Sequence, residues 1–161
     1  MAKKTGDKKP GGDPSLILRN KKAWHDYNVL ETLECGVALK GTEVKSLRNR
    51  DVNFGQAFVL AKNGKLTLLG LHIAPYKQGN IMNHEPERPR QLLAHKREIR
   101  KLQQKVQEKG RTLTPLRLYW KFGRAKVEVG LCRGKQAHDK RDTLREKDLK
   151  RRIARETDRR R

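Results

Sequence analysis

Ala57-Phe58-Val59-Leu60-Ala61-Lys62-Asn63-Gly64-Lys65-Leu66-Thr67-Leu68-Leu69 decides how this chain is read. Two short apolar runs flank Asn63-Gly64, and Asn-Gly readily takes the positive φ angles of a type I′ turn, so the segment predicts a β-hairpin. Its second strand is expected to continue through His72 and Ile73. A second hairpin is expected downstream, from Leu113–Phe122 to Ala125–Cys132 around Gly123. There Ala125, Val127, Val129 and Leu131 alternate with Lys126 and Glu128, giving one apolar face and one charged face.

Upstream, Tyr27, Val29 and Leu33, then Val37 and Leu39, mark an extended segment in which Gly36 suggests a bend or bulge. After Gly41, the run Thr42–Arg48 begins with a threonine suited to an N-cap and an acid in the first turn. It predicts a short helix with Val44 and Leu47 inward. Gln91–Lys109 predicts a long helix: Leu92, Ile99 and Val106 recur every seven residues, with His95 and Leu102 between them, and Gly110 is a natural stop. Five or six antiparallel strands with two or three helices and a small apolar content suit a mainly β fold. An OB-like antiparallel barrel, which removes exposed edges, is the first expectation and a ferredoxin-like sandwich the second.

The chain has 161 residues, enough for one modest core, so one domain with tails is expected. Residues 1–19 carry Lys, Gly, Pro and Asp and read as a flexible basic arm. Residues 20–132 read as the folded OB-like barrel. Residues 133–161 form a basic tail too poor in apolar side chains to make a core alone. In that tail Glu146 with Lys150 and Asp148 with Arg152 are acid-before-base pairs at i, i+4, while Leu149 and Ile153 share a face. The tail is therefore expected to be disordered when free and helical on binding.

Forty Lys and Arg against eighteen Asp and Glu give a formal charge of +22, tolerated chiefly beside a polyanion. Nucleic acid is the first partner to consider. No apolar run approaches the roughly twenty residues of a membrane span, and the N-terminus lacks the apolar core of a signal peptide, so a cytoplasmic protein without membrane contact is expected. Cys35 and Cys132 belong to no C-x-x-C pair and read as reduced, partly buried thiols. The five histidines are dispersed, so no metal or cofactor is expected.

Lys21, Lys22, Lys45 and Lys126 suit phosphate contact, though for any one of them taken alone an ordinary solvated charge is the commoner reading. His25 and Tyr27 could stack on an unpaired base, and Tyr27 could equally be half-buried in its strand. Glu34 would accept from base amino groups or a 2′-hydroxyl, or orient a neighbouring lysine. Of the adjacent pair Leu92 and Leu93, only one can point fully inward, and Leu92 is taken as the core residue. His138-Asp139-Lys140-Arg141 invites a catalytic reading, but sequence neighbours do not face one reaction centre and no second base supports them.

The elements Asn20-Lys21-Lys22-Ala23, His25-Asp26-Tyr27, Gly41-Thr42-Glu43-Val44-Lys45-Ser46-Leu47-Arg48, Asn83-His84, Leu92-Leu93, Gly134-Lys135 and His138-Asp139-Lys140-Arg141 follow one another in the order and spacing of a known family. From Asn20 to the tail, the chain resembles the SsrA-binding protein family. That resemblance implies an oligonucleotide-binding-type barrel holding the tRNA-like domain of transfer-messenger RNA, and elongation factor Tu in the delivery complex. It also implies a C-terminal tail that folds in the vacant decoding site and messenger channel of the ribosome. It places Glu34, Leu93, His95 and Lys126 on the RNA-contacting surface; Asn20, Lys21, Lys22, His25, Tyr27 and Lys45 are further candidates that it does not itself assign there. Gly134, Lys135, His138, Asp139, Lys140, Arg141, Lys150, Arg151, Arg152 and Ile153 are the candidates for ribosome contact. The chain departs from the family pattern at Gln56-Ala57-Phe58, usually Asp-Ser-Tyr, at Cys35, typically alanine, and at Arg50, commonly glycine. Two other functions fit a basic RNA-binding chain: a structural protein of the ribosome, and an RNA-cleaving enzyme using His25 or His138.

Overall fold

A computed structural model describes residues 15–136 and, further on, helical backbone at Leu144, Glu146 and residues 148–151. The elements in chain order are β1 (Leu16–Arg19), α1 (Lys21–Asp26), β2 (Tyr27–Val37), α2 (Gly41–Arg48), β3 (Val52–Asn53), β4 (Phe58–Lys62) and β5 (Lys65–Leu69). They continue with β6 (His72–Ile73), a single 3₁₀ turn (Asn80–Met82), β7 (Arg90–Leu93), α3 (Lys96–Val106), β8 (Arg111–Lys121) and β9 (Arg124–Gly134).

The strands β8-β4-β5-β7-β2-β9 are hydrogen-bonded in that order, and β9 returns to β8, so the antiparallel sheet closes on itself. This is the barrel the sequence predicts, and closure rules out the open sheet of a ferredoxin-like sandwich. β1 adds to β8 outside the ring, while β3 and β6 form a separate two-stranded ribbon. Both hairpins form as expected. Lys62 pairs with Lys65 across Asn63 (φ 52°) and Gly64 (φ 68°), and Lys121 pairs with Arg124 across Phe122 (φ 49°) and Gly123 (φ 70°). Two consecutive positive φ values are the type I′ geometry that matches strand twist.

Alternating side chains of the ring strands fill the interior: Leu66, Leu68, Leu92, Leu118, Val127 and Val129 are fully buried or nearly so. Cys35 and Cys132 are free and buried; burial pushes the Cys35 thiol up to about 12 and the Cys132 thiol up to about 11.

Several expectations are corrected. Residues 91–93 are not helical: Arg90–Leu93 is a strand, and the helix spans Lys96–Val106. The seven-residue spacing of Leu92 and Ile99 is met because Leu92 points inward from a strand by period-2 alternation, and Ile99 from the following helix. Between them His95 is extended (φ −67°, ψ 140°), and its N–H donates to Glu98 Oε2 at 3.1 Å, starting α3 afresh. Strand β5 stops at Leu69 rather than running to Ile73, because Gly70 (φ 70°) turns the chain and His72–Ile73 pairs with Val52–Asn53. Helix α2 is capped at Lys40, not Thr42; the Lys40 N–H donates to Glu43 Oε2 at 2.8 Å. The bulge in β2 lies between Val29 and Glu31 rather than at Gly36. Leu16–Arg19, assigned by composition to the N-terminal arm, is strand, and helix α1 was not foreseen. Arg50, where the resembling family commonly has glycine, sits at φ 61°, a left-handed conformation that costs a non-glycine residue about 1 kcal/mol.

Candidate nucleic-acid interface

The outer face of the barrel is built from cross-strand rows. Directly opposed residues share a face, so Glu34 on β2, Glu128 on β9 and Arg117 on β8 form one row, and Gly36, Lys126 and Tyr119 the next. Glu34 opposite Glu128 is a like-charge pair, unfavourable unless each carboxylate finds a cation. β8 supplies both: Arg117 Nε donates to Glu128 Oε2 at 2.5 Å and its Nη2 to Oε1 at 3.0 Å, a bidentate pair. Tyr119 Oη donates to Glu34 Oε2 at 2.6 Å, and Lys121 Nζ donates to Oε2 at 2.9 Å and Oε1 at 3.1 Å. Lys126 Nζ stands 4.0 Å from Oε1. The Tyr119 hydrogen bond, then that of Lys121, holds the Glu34 carboxyl below its ordinary value of 4.5, with burial acting in the opposite direction.

The second row matters for shape. Gly36 pairs with both Lys126 and Leu93, so at this point β2 passes from one neighbour strand to the other. A Cβ on Gly36 would stand 3.4 Å from Leu93 Cβ, an ordinary contact distance, so the Leu93 side chain lies directly against the strand here. Leu93 is 55% exposed while Leu92 is 1% exposed, which decides the pair as expected but by strand alternation rather than helix geometry. Leu93 and Lys126 form the divide between two open grooves. One is lined by Thr32, Leu33, Glu34, Ala94, His95 and Glu98, and the other by Gly36, Val37, Leu39, Val44, Trp120 and Arg124. Glu34, Leu93, His95 and Lys126 are thus brought to one place from β2, β7, the β7–α3 junction and β9.

A second group surrounds α1. Leu116 is the extra residue where the β8–β9 register shifts between Pro115 and Arg117. The bulge turns it away from the main core to pack with Ala23 and Cys132, with Tyr27 and Val29 partly buried beside them. A Cβ on Gly130 would lie 2.8 Å from Leu116 Cδ1, so the absence of a side chain there makes room for this small second core. Asn20 ties α1 to the bulge: its N–H donates to Leu116 O at 2.8 Å and its Nδ2 to Pro115 O at 2.9 Å, while its Oδ1 accepts from Ala23 N–H at 3.0 Å. The Asn20 side chain therefore caps the helix and closes the bulge. Exposed Lys21, Lys22 and His25 project from the helix so held, His25 Nδ1 lying 2.9 Å from Asp26 Oδ1. Tyr27 is half-buried, and with Asn20 and Lys22 it lines a third groove.

Lys45 stands apart from both groups. Its Nζ lies 5.2 Å from the ring centre of Tyr76, a cation–π contact on a groove shared with Thr42, Met82 and His84. The loop that carries this groove is clamped by Asn83, whose Nδ2 donates to Tyr76 O at 2.8 Å and whose Oδ1 accepts from Tyr76 N–H at 2.9 Å.

The tail leaves beside α1. Gly134 ends β9 opposite Tyr27, and Lys135 donates from its backbone N–H to Asp26 O at 2.9 Å and from Nζ to Trp24 O at 3.2 Å. Lys150 and Arg151 are helical, with Arg151 Nη1 3.8 Å from Asp148 Oδ1. His138, Asp139, Lys140, Arg141, Arg152 and Ile153 lie outside the described residues. Among the described residues no group of His, Cys, Asp and Glu is placed to hold a metal ion, and no helix is long and apolar enough to cross a membrane.

Sequence reasoning missed Tyr119 and Lys121 at the groove. The available signal was the i, i+2, i+4 spacing of Arg117, Tyr119 and Lys121 on the polar face of a strand. It also missed the burial of Glu43, 5% exposed, against Arg90, which is fully buried. Arg90 Nε donates to Glu43 Oε1 at 3.0 Å, and Arg88 grips the same carboxylate with Nε at 2.9 Å and Nη2 at 2.6 Å. The remaining Arg90 donors are used by Leu71 O at 2.5 Å, Arg88 O at 3.2 Å and Pro86 O at 2.8 Å. This cluster fastens α2 to β7 and to the loop carrying the Lys45 groove.

Residues 17–159 match the family described as SmpB protein. The chain is 54% identical over 138 residues to the SsrA-binding protein of Carboxydothermus hydrogenoformans, covering 86% of this chain and 93% of that protein. It is 49% identical over 155 residues to the SsrA-binding protein of Levilactobacillus brevis, covering 96% and 97%. A solved structure described as "tmRNA-SmpB: a journey to the center of the bacterial ribosome" contains a chain 50% identical to this one. It superposes with a TM-score of 0.65 over 80% of this chain and 94% of that one.

Proposed function

The chain belongs to the SmpB family of SsrA-binding proteins, and on that premise we propose that it is a noncatalytic RNA-binding adaptor of trans-translation. The barrel binds the tRNA-like domain of transfer-messenger RNA and helps deliver that RNA to stalled ribosomes, in company with elongation factor Tu, in the cytoplasm. The C-terminal tail occupies the vacant decoding site and messenger channel. The observation that carries the reading is the convergence of Glu34, Leu93, His95 and Lys126, distant in sequence, on one grooved outer face.

Chemically, that face offers what a folded RNA elbow requires. Lys126 supplies a cation for phosphate, Leu93 an apolar surface and His95 an imidazole for an unstacked base, and Glu34 an acceptor for an amino group or 2′-hydroxyl. A carboxylate repels phosphate but reads hydrogen-bond donors, so its presence in a chain of charge +22 favours selective over merely electrostatic binding. Exposed Lys21 and Lys22 extend the cationic surface around α1, with His25 beside them, where the tail departs through Lys135.

The test is competition at equal salt between the tRNA-like domain and size-matched ribosomal RNA fragments. A clear preference for the former is expected. Equal affinity for all competitors would favour a structural protein of the ribosome instead, since both readings give steep salt dependence. Multiple-turnover RNA cleavage lost on His138→Ala would overturn the noncatalytic reading altogether.

A further inference from the structure

The Glu34 carboxylate is not free to choose its orientation. Its four lone-pair positions are partly assigned by β8, two strands away, since β9 lies between β2 and β8. Tyr119 Oη at 2.6 Å and Lys121 Nζ at 2.9 Å both converge on Oε2. Oε1 carries the longer Lys121 contact at 3.1 Å and has Lys126 only at 4.0 Å, so it is the acceptor left with spare capacity.

We propose that Tyr119 and Lys121 are positioning residues of the RNA groove, fixing the Glu34 carboxylate by its Oε2 so that Oε1 is presented to an RNA donor group. This inference rests on the functional reading given above and names the two residues on which the selectivity of that same groove depends. Three facts carry it. Adjacent strands are about 4.8 Å apart, so a tyrosine is long enough to bridge β8 to β2 over the β9 backbone, whereas serine or threonine is not. The hydroxyl has no other hydrogen-bond partner among the described contacts of Tyr119, and the ring it stands on is half-buried. Lys121 together with Lys126 supplies two positive charges against the one carboxylate, so the spot stays cationic for phosphate while still offering an acceptor.

The physical gain is preorganisation. An unconstrained glutamate in an exposed position samples several rotamers, and ordering it on RNA binding costs side-chain entropy that the Tyr119 bond has already met in the free protein. A carboxylate so held distinguishes a donor at one place from a donor displaced by an ångström or two, which is a source of specificity rather than of bulk affinity.

The experiment is a double-variant cycle on the full chain, read by binding to the tRNA-like domain of transfer-messenger RNA across a salt series. Tyr119→Phe keeps the ring and removes the hydroxyl. It is expected to weaken binding by up to roughly tenfold, the cost of ordering one freed glutamate side chain on RNA binding, with the salt slope unchanged because no phosphate contact is lost. In a Glu34→Ala background the same change is expected to add nothing, because there is no carboxylate left to position. Lys121→Met, at the exposed end of the hairpin, provides a second variant: at the high-salt end of the series, where the lost positive charge is screened, its effect is likewise expected to vanish in the Glu34→Ala background. Wild-type affinity for Tyr119→Phe, or losses that multiply in the double variants, would overturn the proposal while leaving the functional reading intact. Absence of any preference of the wild-type chain for this RNA over size-matched competitors would instead sink that reading and this inference with it.

Discussion

Replacing Glu43 by glutamine tests how the barrel is held to its α2 helix. The substitution keeps shape and removes a single charge from a site where the carboxylate is 5% exposed and its partner Arg90 fully buried. Removing one member of a buried ion pair costs about 3–5 kcal/mol, because the other charge stays desolvated. Here the lower end applies: Arg90 keeps the Leu71, Arg88 and Pro86 carbonyls, and Arg88, whose side chain is 21% exposed, can turn to water. The expected loss is about 3 kcal/mol, or a fall in Tm of roughly 10 °C for a chain of this size. The assay is urea unfolding at neutral and acid pH. Burial pushes the Glu43 carboxyl up, but the Arg88 hydrogen bond, the Lys40 N–H and Arg90 together outweigh it, and the folded-state value lies below the ordinary 4.5. A carboxyl lowered on folding stabilises fully above 4.5 and loses that contribution as pH falls through its folded value. The difference between wild type and Glu43→Gln is therefore expected to be greatest at pH 7 and to shrink on acidification. A loss under about 1 kcal/mol at pH 7, or a gap that widens in acid, would refute the assignment of this pair as the fastening between α2 and β7. The double variant Glu43→Met/Arg90→Met is expected to recover part of the loss, since a buried pair replaced by apolar side chains is often near neutral.

Asn20→Ala removes the α1 cap and leaves Pro115 O without its donor, so a loss of about 1–2 kcal/mol is expected, with the denaturant m-value unchanged. RNA binding by that variant should fall only as far as α1 loosens, and an intact fold with abolished binding would instead make Asn20 a direct RNA contact. For the tail, changing Asp139, Lys140 and Arg141 together to alanine is expected to leave affinity for the tRNA-like domain nearly intact while abolishing peptide tagging on stalled ribosomes. Equal loss of both activities, measured side by side, would refute that division of labour.

Much of the candidate site was legible residue by residue, and much of its meaning was not. Glu34, Leu93, His95 and Lys126 were named from resemblance, and the fold gathers them on one face. Lys45, named for its charge, lies on a separate groove with its ammonium over the Tyr76 ring. Asn20 was named with the lysines that follow it, and its side chain makes hydrogen bonds to Pro115 O in the β8 bulge and to the Ala23 N–H of α1. A sequence gives no sign of that, because the partner lies 95 residues away.

Local information was enough wherever one element decides its own form. Asn63-Gly64 sets a turn by φ preference, the 125–131 alternation sets a strand by its period of two, and a charge of +22 selects a polyanion, whatever the rest of the chain does. The tertiary structure alone decided which polar side chains meet. The register of β2 on β9 and of β9 on β8 sets Glu34 opposite Glu128 and brings Tyr119 within reach of Glu34. The packing of α2 on β7 puts Arg90 against Glu43. Registers are fixed by the whole barrel burying its apolar face at once, so no single stretch contains them.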